Sequence, residues 1–341
     1  MNTEIPNNFS SYIKDFDSKI SSIFSDQNNQ NQLYLTRGLP PNVLQQILIE
    51  KPLKVFIPED YGGGGGELRE SLTLLETASY HSLPLSLFLG INGGLFLQPV
   101  ANYGKEEAKK SVFKQFLEQN KLGGLMITEP DFGSEALKMR TSFSKINDQY
   151  HISGTKHWAG LTGSADFWLM TAREKNDTGE LGRDIGFFIH DSSNGGIEVE
   201  EYYNNLGLYM IPYGLNKVNI NVASGYRLQP KTSGISMMLD LLHRSRLQFP
   251  GMAIGFLHRL LDEAIIHCKS RVVGGRSLFE YDQVKERISK LQSNFTSSSA
   301  MCGFIADNIP IKGDISQFEV LANSVKSVIT DYMQESAQSF L

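Results

Sequence analysis

Three successive stretches of different hydrophobic period predict an α+β chain: an N-terminal helical domain, a central antiparallel β-barrel or sandwich, and a C-terminal helical bundle. Apolar residues recur at helical spacing to about residue 120, shift toward a period of two from 121 to 228, and return to helical spacing from 229 to 341. Several strand patterns in the middle region follow one another with no helical pattern between them, which argues against a Rossmann-type sheet. The domains expected are therefore 1–120, 121–228 and 229–341.

In the first region, Phe9, Ile13, Phe16 and Ile20 mark one amphipathic helix, and Val112, Phe113, Phe116 and Leu117 another. Between them Pro58-Glu59-Asp60-Tyr61 leads into the glycines 62–66, where a flexible interhelical turn is expected. No Gly-Lys-Ser/Thr follows the run, so it does not read as a phosphate loop. The longest apolar stretch, 83–100, is broken by Ser86, Asn92, Gln98, Pro84 and Pro99. A bilayer span needs about 20 predominantly apolar residues, so a buried helix is expected here, and no membrane partner.

In the middle region, Val218, Ile220 and Val222 alternate with Lys217, Asn219 and Asn221, as in a strand with one wet face. Further strands are expected at 124–128, 150–153, 167–171 and 185–189, with turns at Asn147-Asp148 and at 192–196. In the last region, Pro250 falls inside a helical pattern running from 236 to 268 and should kink it. Val284, Ile288, Leu291 and Phe295 form a seam that Cys302 and Ile305 continue after a serine-rich turn at 297–299. Phe318, Leu321, Val325, Val328 and Tyr332 form a second stripe.

Composition narrows the function. With 32 Lys+Arg against 37 Asp+Glu the net charge is -5, so no general field draws nucleic acid. Cys268 and Cys302 are too few for a disulfide framework or a cysteine zinc site, and their apolar surroundings read as inert buried thiols. His243, His258 and His267 share a helical stretch without an HExxH pattern; they read as surface or lightly satisfied histidines, and no metal is expected. Met1 to Pro6 has neither the basic nor the apolar part of a secretory leader, and a reduced, cytoplasmic setting is expected.

Two segments carry the candidate chemistry. In 126–135, a strand ends at Pro130, and Gly133-Ser134 can aim consecutive N–H groups and a hydroxyl at one anion, although a solvated turn explains the segment equally well. In 154–160, which reads as a turn entering a strand, Trp158 offers a flat apolar wall beside the backbone of Ala159 and Gly160. Taken by itself, a core tryptophan is the simpler account.

In this order and spacing the segments resemble the acyl-CoA dehydrogenase flavoprotein family. Thr128 to Glu135 match its Thr-Glu-Pro-x-x-Gly-Ser-Asp/Glu turn, and Gly154 to Trp158 match its Gly-x-Lys-x-Trp segment. Ile57 to Gly63, Tyr103 to Glu107, and Arg246, Gly251, Gly255, Arg271, Gly275 and Leu278 extend the resemblance over nearly the whole chain. The resemblance implies FAD-dependent α,β-dehydrogenation of an acyl thioester: a glutamate removes the α proton while the β hydrogen leaves as hydride to flavin N5. By position, Ile127 and Thr128 would face the flavin, and Gly133 and Ser134 its pyrophosphate, with Ser134 also near the pantetheine arm. Trp158, Ala159 and Gly160 would line the other side of the ring. Arg271 would reach a neighbouring subunit's cofactor, implying a homodimer or homotetramer, while Arg246 would order the acyl site or make an ordinary surface salt bridge. The implied substrates are acyl-CoA or acyl-carrier-protein thioesters, and the implied redox partner is an electron-transfer flavoprotein.

The chain departs from that pattern at Gly160, where the family carries a Ser or Thr that donates to flavin N5, at Phe132 in place of a small residue, at Gly274 in place of a dimer-seam aromatic, and at Pro250. Most members take the base from beyond a Gly-Gly-x-Gly turn, which does not occur before Leu341, so a C-terminally incomplete, divergent member is expected. A minority place it one residue before the arginine matching Arg246, where this chain has Ser245, a neutral group unable to remove an α proton. The alternatives are an oxygen-using flavin oxidase or monooxygenase of the same fold, and a non-catalytic binding or assembly protein that kept it.

Overall fold

The computed structural model describes residues 7–35, 37–65 and 67–340; Met1 to Pro6, Gly66 and Leu341, on which parts of the leader, glycine-run and chain-end expectations fall, lie outside the described residues. In chain order come α1 (Asn7–Ser25), α2 (Gln27–Leu35), α3 (Pro41–Ile49), α4 (Leu68–His81), α5 (Leu83–Gly90), α6 (Gln98–Tyr103) and α7 (Glu106–Gln119). The strands follow: β1 (Gly123–Met126), β2 (Ser142–Ile146), β3 (Gln149–His157), β4 (Phe167–Lys175), β5 (Leu181–Asp191), β6 (Ile197–Tyr202) and β7 (Gly214–Ala223). Then come α8 (Gly234–Arg246), α9 (Phe249–Ser270), the short strands β8 (Val272–Val273) and β9 (Arg276–Ser277), α10 (Asp282–Asn308) and α11 (Glu319–Phe340). Helices, sheet, helices is the order the periodicity predicts. By contacts the chain divides into two compact units, one of residues 25–66 and 88–242, the other of 1–24, 67–87 and 243–341.

The first unit is built on a seven-stranded sheet ordered β1-β4-β2-β3-β7-β6, with β5 on β4. It is mixed rather than wholly antiparallel, because β4 pairs in parallel with both β1 and β2. β4 is buried continuously from Phe167 to Ala172, the pattern of a strand covered on both faces. β7 shows the alternation read from sequence, with Val218, Ile220 and Val222 at 1–3% exposure and Lys217, Asn219 and Asn221 in solvent. β2 and β6 were not legible: Phe143 is the one buried side chain of β2, and β6 has none. Glycines 63–65 are not the flexible turn expected, since their N–H groups donate to the Pro58, Lys54 and Ile57 carbonyls at 3.0–3.1 Å.

The 21 residues Leu83–Tyr103 form one continuous helix, long and apolar enough by composition to cross a membrane, yet 78% of its apolar window is buried inside the protein. Ile91–Leu97 widens into π-helical turns, a form often found at functional sites. Asn92 ties that segment to the sheet, its Oδ1 accepting from Gly123 N at 2.8 Å.

The core of the second unit joins Leu68 and Leu72 of α4, Leu257 and Leu261 of α9, Leu291, Cys302 and Ile305 of α10, and Val325 and Ile329 of α11. Gly251 and Gly255 lie one turn apart on the face of α9 that meets α4; a Cβ at Gly255 would sit 2.0 Å from the Glu76 carbonyl oxygen. The helices therefore touch backbone to backbone. Pro250 does not kink a long helix: the chain breaks after α8, and Pro250 occupies the first turn of α9, where its missing N–H costs nothing. No turn interrupts 297–299 either, because α10 runs unbroken and Ser298 is fully buried within it. Gly274 and Gly275 turn the β8–β9 hairpin with φ of +59° and +82°, a conformation an aromatic at 274 would resist.

His243 is not a surface histidine: it is buried, with Nδ1 3.6 Å from Glu319, while His258 and His267 are exposed. Cys302 is buried and Cys268 half-buried; burial, and then the charge of Glu76, pushes the Cys302 thiol up to about 12, so it stays protonated and unreactive. Among the described residues no group of His, Cys, Asp and Glu side chains could hold a metal ion.

Candidate functional site

Both motif segments belong to the first unit, and they lie side by side. β1 ends at Met126 and delivers Ile127 and Thr128 beyond its last residue. The second segment leaves a strand rather than entering one: β3 runs to His157, whose N–H donates to the Thr128 carbonyl at 3.0 Å, and the chain departs at Trp158.

Beneath this junction Lys156 and Glu129 form a buried ion pair at 2.9 Å, their side chains 0% and 5% exposed. Lys156 Nζ also donates to the Ile127 carbonyl at 3.0 Å and to Thr171 Oγ1 at 3.2 Å. Glu129 accepts from the backbone N–H of Arg140 at 2.6 Å and of Thr141 at 3.0 Å. Burial pulls the Lys156 ammonium down to about 8 against the opposing pull of Glu129. For Glu129 burial pushes up, but the Lys156 charge and the Thr141 and Arg140 hydrogen bonds outweigh it and hold the carboxyl below its ordinary value. Such a pair adds little net stability, but removing one partner strands a charge. Its effect is to lock the Thr-Glu-Pro turn to the Gly-x-Lys strand.

Trp158 is not a core tryptophan. It is 50% exposed with φ +53°, a left-handed conformation that is strained for a bulky residue and held by its surroundings. The core tryptophan is Trp168, at 2%. The Trp158 indole meets the ring of Tyr203 at 4.6 Å between centroids and that of Tyr213 at 6.0 Å, while the Tyr203 hydroxyl lies 3.1 Å from His157 Nδ1. Below the following loop, Asn216 Nδ2 donates to Thr162 Oγ1 at 3.0 Å, and Thr162 Oγ1 donates to the Ala159 carbonyl at 2.8 Å. The N–H groups of Ala159 and Gly160 have no acceptor among the described residues. At Gly160 a Cβ would lie 2.9 Å from Ile91 Cδ1, 3.4 Å from Tyr213 and 3.5 Å from Ile211, so a serine or threonine there would press on the tip of the Ile91 side chain, which would have to shift.

The other candidate turn closes between Glu129 and Phe132, whose backbones exchange hydrogen bonds at 3.2 and 3.1 Å. Gly133 and Ser134 follow in solvent, and nothing lies within 4 Å of a Cβ built on Gly133. The added bulk of Phe132 packs on the Arg140 guanidinium at 5.3 Å. Ser245, Arg246 and Arg271 belong to the second unit. Ser245 and Arg246 sit in the last turn of α8, Arg246 half-buried and without an ion pair among the described residues; Arg271 is exposed at the C-terminal end of α9.

The structure adds residues that sequence reading gave no role: Lys156 and Glu129 as a lock, and Tyr203, Tyr213 and Ile91 around the loop. A signal existed for Lys156, because the period of two places it on the same face of β3 as Tyr150 and Ile152. None existed for Ile91 or Tyr203, which arrive from distant parts of the chain.

Comparison with known proteins agrees with the fold and with the family resemblance. Models of the acyl-CoA dehydrogenase N-terminal, middle and C-terminal domains match residues 27–120, 124–219 and 232–341. An acyl-CoA dehydrogenase of Bacillus subtilis (strain 168) is 25% identical over 256 residues, 74% of this chain and 66% of that protein, so the match spans just under two thirds of the relative. The structure of butyryl-CoA dehydrogenase from Megasphaera elsdenii superimposes with a TM-score of 0.85 at 18% identity, covering 100% of this chain and 89% of that one. A glutaryl-CoA dehydrogenase from Mycobacterium smegmatis, solved in complex with FADH2, gives a TM-score of 0.83 at 18% identity over 98% of this chain and 84% of that one. The chain belongs to the acyl-CoA dehydrogenase family.

Proposed function

We propose that the chain is an FAD-dependent oxidoreductase that dehydrogenates an acyl thioester between its α and β carbons. The observation that carries this reading is the Trp158 loop: a half-exposed indole next to two acceptor-free N–H groups, anchored to the Thr128 segment. FAD is the cofactor the family supports, and the residues present suit it. The indole offers a planar apolar wall, the Ala159 and Gly160 N–H groups offer donors to a polar ring edge, and the open, exposed Gly133-Ser134 backbone offers donors to a pyrophosphate.

FAD bound there would supply the hydride acceptor. The chain's own part is to bind and orient. The buried Lys156–Glu129 pair fixes Ile127 and Thr128 relative to Trp158 without presenting a free charge to the ring. Ile91, Ile211 and Tyr213 line the space beside Gly160. Ser245 carries no carboxylate, so α-proton removal is not assigned to it. The same reading keeps the three-domain division 1–120, 121–228 and 229–341, which the ranges of the family models support. It extends to acyl-CoA or acyl-carrier-protein thioesters in lipid metabolism, an electron-transfer flavoprotein acceptor, a cytoplasmic homodimer or homotetramer, a cofactor contact from Arg271, and a place for Arg246 and Ser134 near the substrate.

One feature favours a second reading. With no side-chain donor at position 160, a flavin here would lack a hydroxyl contact at N5, which suits an oxygen-using oxidase or monooxygenase of the same fold. Anaerobic mixing of the FAD-loaded protein with a panel of acyl-CoA thioesters, followed by admission of air, separates the two. Bleaching of the yellow colour by at least one chain length, with slow recolouring in air, is expected. Rapid recolouring in air, after reduction by a thioester or by NAD(P)H, would replace the first reading by the second.

A further inference from the structure

The geometry points to Tyr203 as the residue that positions the Trp158 indole for the planar ring it faces, acting through Trp158 rather than by touching that ring. The inference rests on the flavin reading above. Trp158 rises from the end of β3 in a left-handed conformation with half its surface in solvent. The rings of Tyr203, Tyr213 and His157 meet its indole at 4.6, 6.0 and 6.1 Å between centroids. That of Tyr203 is the nearest, tilted by 53°.

Tyr203 is itself tied on two further sides. Its N–H donates to the Tyr213 carbonyl at 2.8 Å, and its hydroxyl hydrogen-bonds His157 Nδ1 at 3.1 Å. His157 in turn donates its N–H to the Thr128 carbonyl at 3.0 Å. A chain of contacts thus runs from Thr128 through His157 and Tyr203 to Trp158, joining the first motif to the indole of the second. Burial lowers the His157 pKa and so favours the neutral imidazole. An exposed aromatic held in its binding orientation before the ligand arrives saves the ordering cost on binding.

The test uses Trp158 emission, taken as the fluorescence lost in Trp158→Phe, in the full chain and in Tyr203→Leu and Tyr203→Phe. Without FAD, acrylamide should quench Trp158 more strongly in Tyr203→Leu than in the parent, with Tyr203→Phe close to the parent because it keeps the ring. On titration, Tyr203→Leu should bind FAD about three- to tenfold more weakly, the worth of one aromatic pair, and Tyr203→Phe should restore most of the affinity. Unchanged acrylamide access in Tyr203→Leu would overturn the positioning role. So would freer acrylamide access combined with parental FAD affinity. A parent protein that binds no FAD would remove the flavin reading, a failure visible in the parent before any variant is compared.

Discussion

Lys156→Met lowers the stability of the first unit by about 3–5 kcal/mol at neutral pH, the cost of leaving one partner of a buried ion pair uncompensated. Glu129 keeps its hydrogen bonds from Arg140 and Thr141 but loses the cation that offsets its burial. The pH dependence then changes sign. In the parent the Glu129 carboxyl is held below its unfolded value, so its contribution is present above the ordinary carboxylate range and is lost as acid titrates it. In the variant burial dominates and raises the carboxyl, so stability is fully present at low pH and falls as pH rises through the raised value. Urea unfolding followed by tryptophan emission reads this directly, because Trp158 and Trp168 are the chain's two tryptophans and both lie in the first unit. The deficit should shrink between pH 7 and pH 5, and Lys156→Met/Glu129→Gln, which removes the stranded charge while keeping an acceptor for the Arg140 and Thr141 N–H groups, should recover most of it. A loss below about 1 kcal/mol, within the range of an exposed pair, would mean the pair is not buried as described.

The second large effect belongs to the helical unit. Gly255→Val should cost about 3 kcal/mol or more, at or beyond the top of the overpacking range, because the added Cβ would stand 2.0 Å from the Glu76 carbonyl oxygen and 2.7 Å from Tyr80 N. Both are backbone atoms of α4, which cannot swing aside as a side-chain tip does. Thermal unfolding followed by helical circular dichroism should show the drop, and a variant melting with the parent would rule out backbone contact between α4 and α9.

What could be read from sequence follows from how local each signal is. The alternation of Val218, Ile220 and Val222 is imposed by one solvated face, and it appears in β7 residue for residue. β6 escaped because its Glu198, Glu200 and Glu201 leave no buried side chain to detect. Pro250 reads as a kink because periodicity on either side of it is helical; a break just before it preserves that periodicity on both sides. The serines at 297–299 read as a turn, but the apolar seam of Leu291, Cys302 and Ile305 is strong enough to carry the helix through them. At the site, the motif residues were visible as a pattern and their cause was not. Lys156 and Glu129 meet only because β3 and the segment after β1 are brought together, and of the two tryptophans Trp168 is buried while Trp158 stands half-exposed at the end of β3. Gly160 shows in sequence as a missing donor; only the structure shows that the tip of Ile91, from the π-helical turns, lies beside it.

In the proposed site a flavin ring lies against Trp158. FAD titration of the full chain, with Trp158→Phe run in parallel to isolate the Trp158 emission, tests it most directly. Stoichiometric binding is expected to extinguish most of the Trp158 component and to leave that of buried Trp168 less affected. Retained yellow colour with undiminished Trp158 emission would contradict it, as would a protein that stays colourless at saturating FAD.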